Sequence, residues 1–230
     1  YGPSLAVKSL SDEKEKEYRK KLSNFSFLSC REQDGAQLLS RITQKEVKCV
    51  LDPTLLLSAK EWGKYCEFEI PKEPYILVYF LGEKSEHRRA VEKIQKLTNW
   101  KIISLPAAYL EMENNDYKKV WGGPKEFLSL IRGAALICTD SFHGTMFSIN
   151  FQRNFFSFCK SSDSEESSEN SRLYSALNIF GLSNRIIHKM DNLTAEDISI
   201  DYKNVIPILE EQRRDSIEYL ENMLFEMTKG

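Results

Sequence analysis

A histidine, His143, lies a few residues after a short apolar stretch at 134–138 that is typical of a buried strand. A helix capped by one of residues 139–141 would place His143 and Gly144 in its first turn. Backbone N–H groups at a helix start attract phosphate or carboxylate, and glycine lets a ligand approach the backbone closely. An imidazole there can exchange a proton near neutral pH. His143 is therefore a candidate catalytic residue, and the alternative is a histidine that only caps or packs the helix.

Two cations follow other candidate strands. Arg31 comes after the apolar run 25–30, and its guanidinium could hold a carboxylate or phosphate in two-point contact. An ion pair with Glu32 or Asp34 is the alternative for this arginine. Lys160 ends a Phe-rich run, where a solvated lysine is the ordinary outcome.

Two further residues have weaker signals. Arg172, at the start of a helical pattern, could close over a ligand with its neighbours or belong to a helix cap. His87 lies within a charged helical segment, and we predict that it is exposed.

The elements that would position these residues alternate between short apolar runs and longer amphipathic segments. This alternation predicts α/β architecture with mostly parallel sheets, in which ligands bind outside the carboxyl ends of the strands. The predicted strands are 25–30, 47–51, 75–81, 101–105, 134–138 and 155–158; the helices are 12–22, 33–42, 85–97, 124–132, 143–151, 172–180 and 201–227; and loops are predicted at 107–121 and 161–171.

A polar stretch from Lys60 to Pro74 is interpreted as a linker between two domains. Residues 1–70 have too few strands for a complete domain, and we expect them to be the latter part of an N-terminal Rossmann-like domain. Residues 71–230 are predicted to form a C-terminal Rossmann-like domain with a long C-terminal helix.

Composition excludes several classes of function. The chain has 230 residues, and its 32 Lys and Arg against 34 Asp and Glu give a net charge of -2, so nucleic-acid binding is not expected. No apolar run approaches the about 20 residues of a membrane span. The five cysteines are odd in number, include no CxxC pair and form no zinc pattern. We therefore expect free thiols in a reducing compartment, the cytoplasm, and no metal.

Several motifs, in this order and spacing, resemble the polysaccharide pyruvyl transferase family. The first is S-x-R-E followed by D-P-t-l-l, found at Ser29–Glu32 and Val50–Leu56. The helix motif P-x-E-F-L-x-x-I is found at Pro124–Ile131, and the signature T-D-S-F-H-G-T at Thr139–Thr145. Pieces that follow the signature in the family resemble Asn170–Arg172, Gly181, Leu182 and Arg185. The resemblance covers nearly the whole chain.

The resemblance implies two facing Rossmann-like lobes of GT-B type, with the N-terminal lobe incomplete in this chain. It implies transfer of a pyruvyl group from phosphoenolpyruvate to a sugar or lipid-linked saccharide, forming a cyclic ketal in a surface polysaccharide or its precursor. Phosphoenolpyruvate is the donor substrate, and no other cofactor is expected. Some members carry arginine two residues before the signature histidine, where this chain has Ser141. The donor contact must then be made by another group, or the donor differs.

The resemblance also implies roles for single residues in the pyruvyl transfer reaction. His143 would be the acid/base group, a role typically worth about 10²–10⁴ in rate. Arg31 and Lys160 would stabilise the donor's negative charge. Further substrate contacts are expected from Ser141, Gly144, Thr145, Glu126 and Arg172.

Two other functions stay open: a GT-B-like glycosyltransferase that uses a nucleotide sugar, and a non-catalytic module that binds a glycan or a partner. The expected location is cytoplasmic, and the alternative is a protein bound peripherally to the inner face of the membrane.

Overall fold

The computed structural model describes residues 1–7, 9–82, 85–106, 117–160, 170–187 and 193–229. Most of the predicted loops 107–121 and 161–171 lies outside these residues. The chain forms two compact units, each built from separate stretches. Unit 1 comprises residues 1–56, 161–183 and 203–230, and unit 2 comprises residues 57–160 and 184–202.

The two units do not coincide with the predicted ranges 1–70 and 71–230. Residues 57–70 group with unit 2, and the C-terminal helix groups with unit 1. The predicted linker at 60–74 belongs to unit 2, and its first residues form most of a short helix, α3 (Ala59–Trp62). Ser58 caps this helix, and the Glu61 carboxylate accepts the Ser58 N–H at 2.8 Å.

Unit 2 is a parallel sheet with helices, which confirms the predicted α/β class. Its strands are β3 (Tyr75–Tyr79), β4 (Lys101–Ser104), β5 (Lys118–Lys119), β6 (Leu136–Thr139), β7 (Asn154–Phe158) and β8 (Ile186–Ile187). Its longer helices are α4 (Ser85–Thr98), α5 (Pro124–Gly133) and α6 (Phe142–Asn150). The spatial order is β5-β4-β3-β6-β7-β8, and every neighbouring pair is parallel.

Strand order reverses between β3 and β6. The chain runs outward from β3 to β5 on one side, and from β6 to β8 on the other. The loops that follow β3 and β6 therefore leave the sheet side by side at its carboxyl edge. This reversal is where open α/β sheets form a ligand-binding crevice.

The core of unit 2 explains why its strands are almost continuously apolar: helices cover the sheet. On one face, Ala90, Val91 and Ile94 of α4 pack with apolar side chains of β3, β4, β6 and β7. Elsewhere, the Tyr75 hydroxyl of β3 donates to the Leu130 carbonyl of α5 at 2.7 Å. The sheet is thereby fixed to its helices.

Unit 1 contains α1 (Asp12–Leu22), β1 (Ser29–Cys30), α2 (Gln33–Thr43), β2 (Lys48–Cys49), α7 (Asn170–Ile179) and α8 (Val205–Met227). Strands β1 and β2 are parallel. The last helix, α8, is bonded to the segments around them through three side chains. Arg213 Nε donates to the Leu55 carbonyl at 2.7 Å, the Ser216 hydroxyl accepts the Leu51 N–H at 2.9 Å, and Tyr219 donates to the Leu28 carbonyl at 3.0 Å.

None of the helices in the described part of the chain is both long and apolar enough to span a bilayer.

Candidate functional site

The turn after β6 is built around the hydroxyl of Thr139. This hydroxyl donates to the Tyr79 carbonyl at the end of β3, at 2.6 Å, and accepts the Ser141 N–H at 3.0 Å. A Cβ on Gly144 would lie 2.6 Å from the same oxygen, which is closer than non-bonded atoms approach. Glycine is thus required where α6 begins, because the helix start lies directly against the strand end.

Replacing Gly144 by alanine is therefore expected to lower the free energy of unfolding by about 1–3 kcal/mol, the usual cost of overpacking. Chemical denaturation of the variant measures the effect. Gly82→Ala is a matched control in the same unit, because its Cβ would meet nothing nearer than the Asp140 carboxylate at 3.9 Å. Equal stability of the two variants would contradict the tight contact at Gly144.

Ser141 and Thr145 hold the first turn of α6 in place. Ser141 is the N-cap, and its buried hydroxyl accepts the Gly144 N–H at 3.3 Å. The Thr145 hydroxyl donates to the Ser141 carbonyl at 3.2 Å and is hydrogen-bonded to the Ser157 hydroxyl of β7 at 2.7 Å. The side chains of both residues therefore stabilise the turn, and substrate contact by either one stays a prediction.

His143 is the exception in this turn. Among residues 139–145, all of which the structure describes, its side chain is the only exposed one. It lies in the first turn of α6, where the helix macrodipole favours negative charge nearby. Buried residues on both sides fix the backbone that carries the imidazole. The arrangement can present a proton donor or acceptor to a molecule at the carboxyl edge of the sheet.

Asp140 joins the two neighbouring loops of this edge. Its Oδ1 accepts the Leu81 N–H at 2.6 Å, and its Oδ2 accepts the Gly82 N–H at 3.2 Å. Burial raises the pKa of Asp140, while these two amides and the positive charge of Lys160 act in the opposite direction. The carboxylate is thus held by the loop after β3 on one side and influenced by the residue after β7 on the other.

Lys160 is half-buried two residues beyond the end of β7. Strand β7 lies next to β6 in the sheet, so Lys160 and the His143 turn belong to adjacent loops. The Coulomb effect of Lys160 on Asp140 is in keeping with this placement. A cation and an imidazole are therefore available at the same edge of unit 2.

Glu126 lies in the first turn of α5, where its Oε2 accepts the Gly123 N–H at 2.7 Å. The rings of Phe127 and Tyr79 are 5.0 Å apart, which brings the start of α5 to the end of β3. Glu126 is half-buried. One of its carboxylate oxygens is used by the helix start, and an acceptor contact by this residue stays a prediction.

His87 is buried, so its predicted exposure is wrong. Its side chain is 6% exposed, and its ring lies 5.0 Å from that of Phe80 and 4.9 Å from that of Phe158, between ring centroids. The charged residues of α4 occupy its outer face, whereas the first turn packs on the aromatic residues at the strand ends. Sequence periodicity alone did not reveal this packing.

The predicted cation of unit 1, Arg31, is held by two carboxylates. Its guanidinium forms an ion pair with Asp52 through NH1, and its Nε lies 3.7 Å from Oε1 of Glu32. The Arg31 side chain is 13% exposed and that of Asp52 is 2% exposed. Asp52 also accepts the Thr54 N–H at 3.0 Å. The motifs around residues 30 and 52 thus form one buried network at the carboxyl ends of β1 and β2.

The candidate residues consequently fall into two sets. Unit 2 brings together Ser141, His143, Gly144, Thr145, Lys160 and Glu126 at one edge of its sheet. Unit 1 contains Arg31 and Arg172, and Arg172 is half-buried in the first turn of α7. In the part of the chain that the structure describes, no group of three or more His, Cys, Asp or Glu side chains is arranged to hold a metal ion.

A model of the polysaccharide pyruvyl transferase family matches residues 1–158 of the chain. A comparison with proteins of curated function found no match.

Solved structures similar to this chain include the glycotransferase of kitacinnamycin, with 13% identity and a TM-score of 0.48, covering 79% of this chain and 48% of that one. The UDP-GlcNAc 2-epimerase from Methanocaldococcus jannaschii has 13% identity and a TM-score of 0.48, and the match covers 81% of this chain and 62% of the epimerase. The UDP-GlcNAc 2-epimerase from Neisseria meningitidis has 8% identity and a TM-score of 0.47, covering 85% and 61%. The chain spans less than two thirds of the length of each of these structures.

Proposed function

Since the chain belongs to the polysaccharide pyruvyl transferase family, we propose that it transfers a pyruvyl group from phosphoenolpyruvate to two hydroxyls of a sugar, forming a cyclic ketal. His143 carries this assignment, because it is the only exposed side chain in a turn whose other residues are buried. The acceptor is a sugar or lipid-linked saccharide of a surface polysaccharide or its precursor. All five cysteines are free thiols, as suits a reducing compartment, and we place the reaction in the cytoplasm.

The reaction needs two proton movements, and one imidazole can serve both. A proton added to the methylene carbon of the donor gives a methyl group and an oxocarbenium-like centre at the neighbouring carbon. One sugar hydroxyl attacks this centre and loses its proton, phosphate leaves, and the second hydroxyl closes the ring. In the balance, one hydroxyl proton ends on the new methyl group and the other on phosphate. His143 would give the first proton and accept one from a hydroxyl.

Binding of the donor needs positive charge, because phosphoenolpyruvate carries a phosphate and a carboxylate. The start of α6 contributes the positive end of a helix dipole beside His143. Lys160 contributes an ammonium group in the adjacent loop. These groups would hold the donor and stabilise the negative charge on the departing phosphate.

The proposed function is tested by mixing the chain with phosphoenolpyruvate and a panel of free and lipid-linked saccharides. Release of inorganic phosphate and a new ketal methyl signal in the proton NMR spectrum are the expected results. Thermal-shift measurements with phosphoenolpyruvate and with uridine and cytidine nucleotide sugars run alongside. A ligand at 100 times its Kd stabilises a protein by about 2.7 kcal/mol. Stabilisation by a nucleotide sugar alone would indicate a glycosyltransferase, and stabilisation by a glycan alone a binding module.

Replacing Lys160 by glutamine is expected to raise the Kd for phosphoenolpyruvate about tenfold or more, because a charge-assisted contact of about 1.5–3 kcal/mol is lost. Isothermal titration measures the change. Lys101→Gln is the matched control, since this lysine of unit 2 is exposed and pairs with Glu73 at 2.5 Å. Equal affinity in the Lys160 and Lys101 variants would remove Lys160 from the donor site.

A further inference from the structure

Asp140 connects the two loops that meet where the strand order of unit 2 reverses. Each of its carboxylate oxygens accepts one backbone N–H, from Leu81 at 2.6 Å and from Gly82 at 3.2 Å. The two contacts fix both the position and the rotation of the carboxylate. Asp140 is only 5% exposed and directly precedes the N-cap of α6. The loop after β3 is therefore tied to the turn that carries His143.

A buried carboxylate is costly unless its charge is compensated. Two amide dipoles compensate part of the charge of Asp140, and the ammonium of Lys160 acts on it as well. Lys160 follows β7, so the influence of Asp140 reaches three loops, after β3, β6 and β7, which are neighbours in the sheet. The same interaction necessarily acts on Lys160, which has Asp140 as a nearby negative charge.

The Leu81 and Gly82 amides, which donate to Asp140, lie in the loop after β3. They follow a strand at the point of reversal and precede α4, where sheets that bind dinucleotides hold a phosphate against backbone N–H groups. In this chain the Leu81 and Gly82 amides are already bonded to a negative charge of the protein itself. A second anion at these amides would be repelled by the carboxylate.

We propose that Asp140 is a positioning residue of the site: it fixes the loop after β3 relative to His143, and it keeps anions away from the Leu81 and Gly82 amides. The donor phosphate is then directed to Lys160 and the start of α6. The anchoring of the loops follows from the hydrogen bonds, whereas the placement of the donor phosphate at Lys160 and the start of α6 rests on the proposed function.

The anchoring is tested without any substrate by the variant Asp140→Asn, which keeps the shape of the side chain. Its amide group accepts one N–H but turns an NH₂ toward the other. We expect hydrogen exchange at the Leu81 or Gly82 amide to become about tenfold faster or more, the factor for a hydrogen bond of about 1.4 kcal/mol. Asp197→Asn is the control, because this exposed residue of unit 2 also accepts a backbone N–H, from Thr194 at 2.7 Å. It should leave both amides unchanged.

The direction of the donor is tested by binding and kinetics in the same variant. Loss of a negative charge beside the site should lower the Kd for phosphoenolpyruvate about threefold or more, while kcat falls about tenfold because the loop after β3 and the His143 turn lose their fixed relation. A role of Asp140 limited to stability would lower the melting temperature of the variant without lowering its Kd for phosphoenolpyruvate. Weaker donor binding in Asp140→Asn, with the fold intact, would overturn the proposed direction of the donor.

The outcomes separate the two proposals. Unchanged exchange at both amides in Asp140→Asn would overturn the positioning role, whatever the activity of the chain. Faster exchange in a chain that neither binds phosphoenolpyruvate nor transfers its pyruvyl group would support the anchoring and overturn the proposed function.

Discussion

Replacing His143 by alanine is expected to lower the rate of pyruvyl transfer by about 10²–10⁴, the usual contribution of a positioned acid/base group. The side chain is exposed, so its removal leaves no cavity in the core. The melting temperature should therefore stay within the range of surface substitutions. Steady-state rates of phosphate release, measured with saturating phosphoenolpyruvate and acceptor, give the effect on kcat.

Two further measurements separate catalysis from binding in the His143→Ala variant. The Kd for phosphoenolpyruvate should change only a few-fold, because the donor charges are held by other groups. The change of rate with pH across the neutral range, where an imidazole titrates, should disappear together with the side chain. Activity that persists within a few-fold of the unsubstituted chain would show that another group moves the protons.

Replacing Arg31 by alanine is expected to lower the free energy of unfolding by about 3–5 kcal/mol. The substitution leaves the carboxylate of Asp52, whose side chain is 2% exposed, without the cation that faces it. The Glu32 carboxylate, 3.7 Å from Arg31 Nε and also buried, loses the same positive charge. Denaturant unfolding of the variant, followed by circular dichroism, measures the loss of stability.

Arg41→Ala is the matched control, because this arginine of unit 1 forms an ion pair with Glu15 on the surface, at 2.6 Å, with 59% of its side chain exposed. Surface pairs contribute little, so the control should remain close to the unsubstituted chain. If both variants unfolded at the same denaturant concentration, the buried network would have no special role. The contact of Arg31 with the donor that the family resemblance predicts is tested at a temperature where the variant is folded. An unchanged Kd for phosphoenolpyruvate would remove Arg31 from donor binding.

The elements that were predicted well are those whose ends are marked by local chemistry. Helix α1 begins at Asp12 as predicted, because Ser11 caps it, and α5 begins at Pro124, the residue type that suits a first helical position. Strand β3 is apolar throughout and begins at Tyr75 as predicted. Strands β5 and β8 were missed, since each has only two residues and, unlike β1 and β2, does not lie in a longer apolar run. Helix α3 was interpreted as linker because it is only four residues long.

The grouping of the elements could not be predicted, because it depends on contacts between distant residues. Nothing in the periodicity of α8 shows that Ser216 accepts a hydrogen bond from Leu51, 165 positions earlier. In the candidate site, too, local motifs could be predicted and contacts between distant residues could not. His143 was found from its place in a local motif, whereas the roles of Asp140 and Asp52 depend on partners 59 and 21 positions away.

The stretches that form unit 1 lie far apart in the chain, and this has a consequence for how the protein is made. Strands β1 and β2 are synthesised well before Arg213, Ser216 and Tyr219, whose bonding partners around these strands lie 158 to 191 positions earlier in the chain. Until α8 has been made, the segment around β1 and β2 lacks the helix that bonds to it, and its apolar surface is open to aggregation or chaperones. A truncation that removes α8 should therefore destabilise the first fifty residues of this sequence more than the residues that directly precede α8.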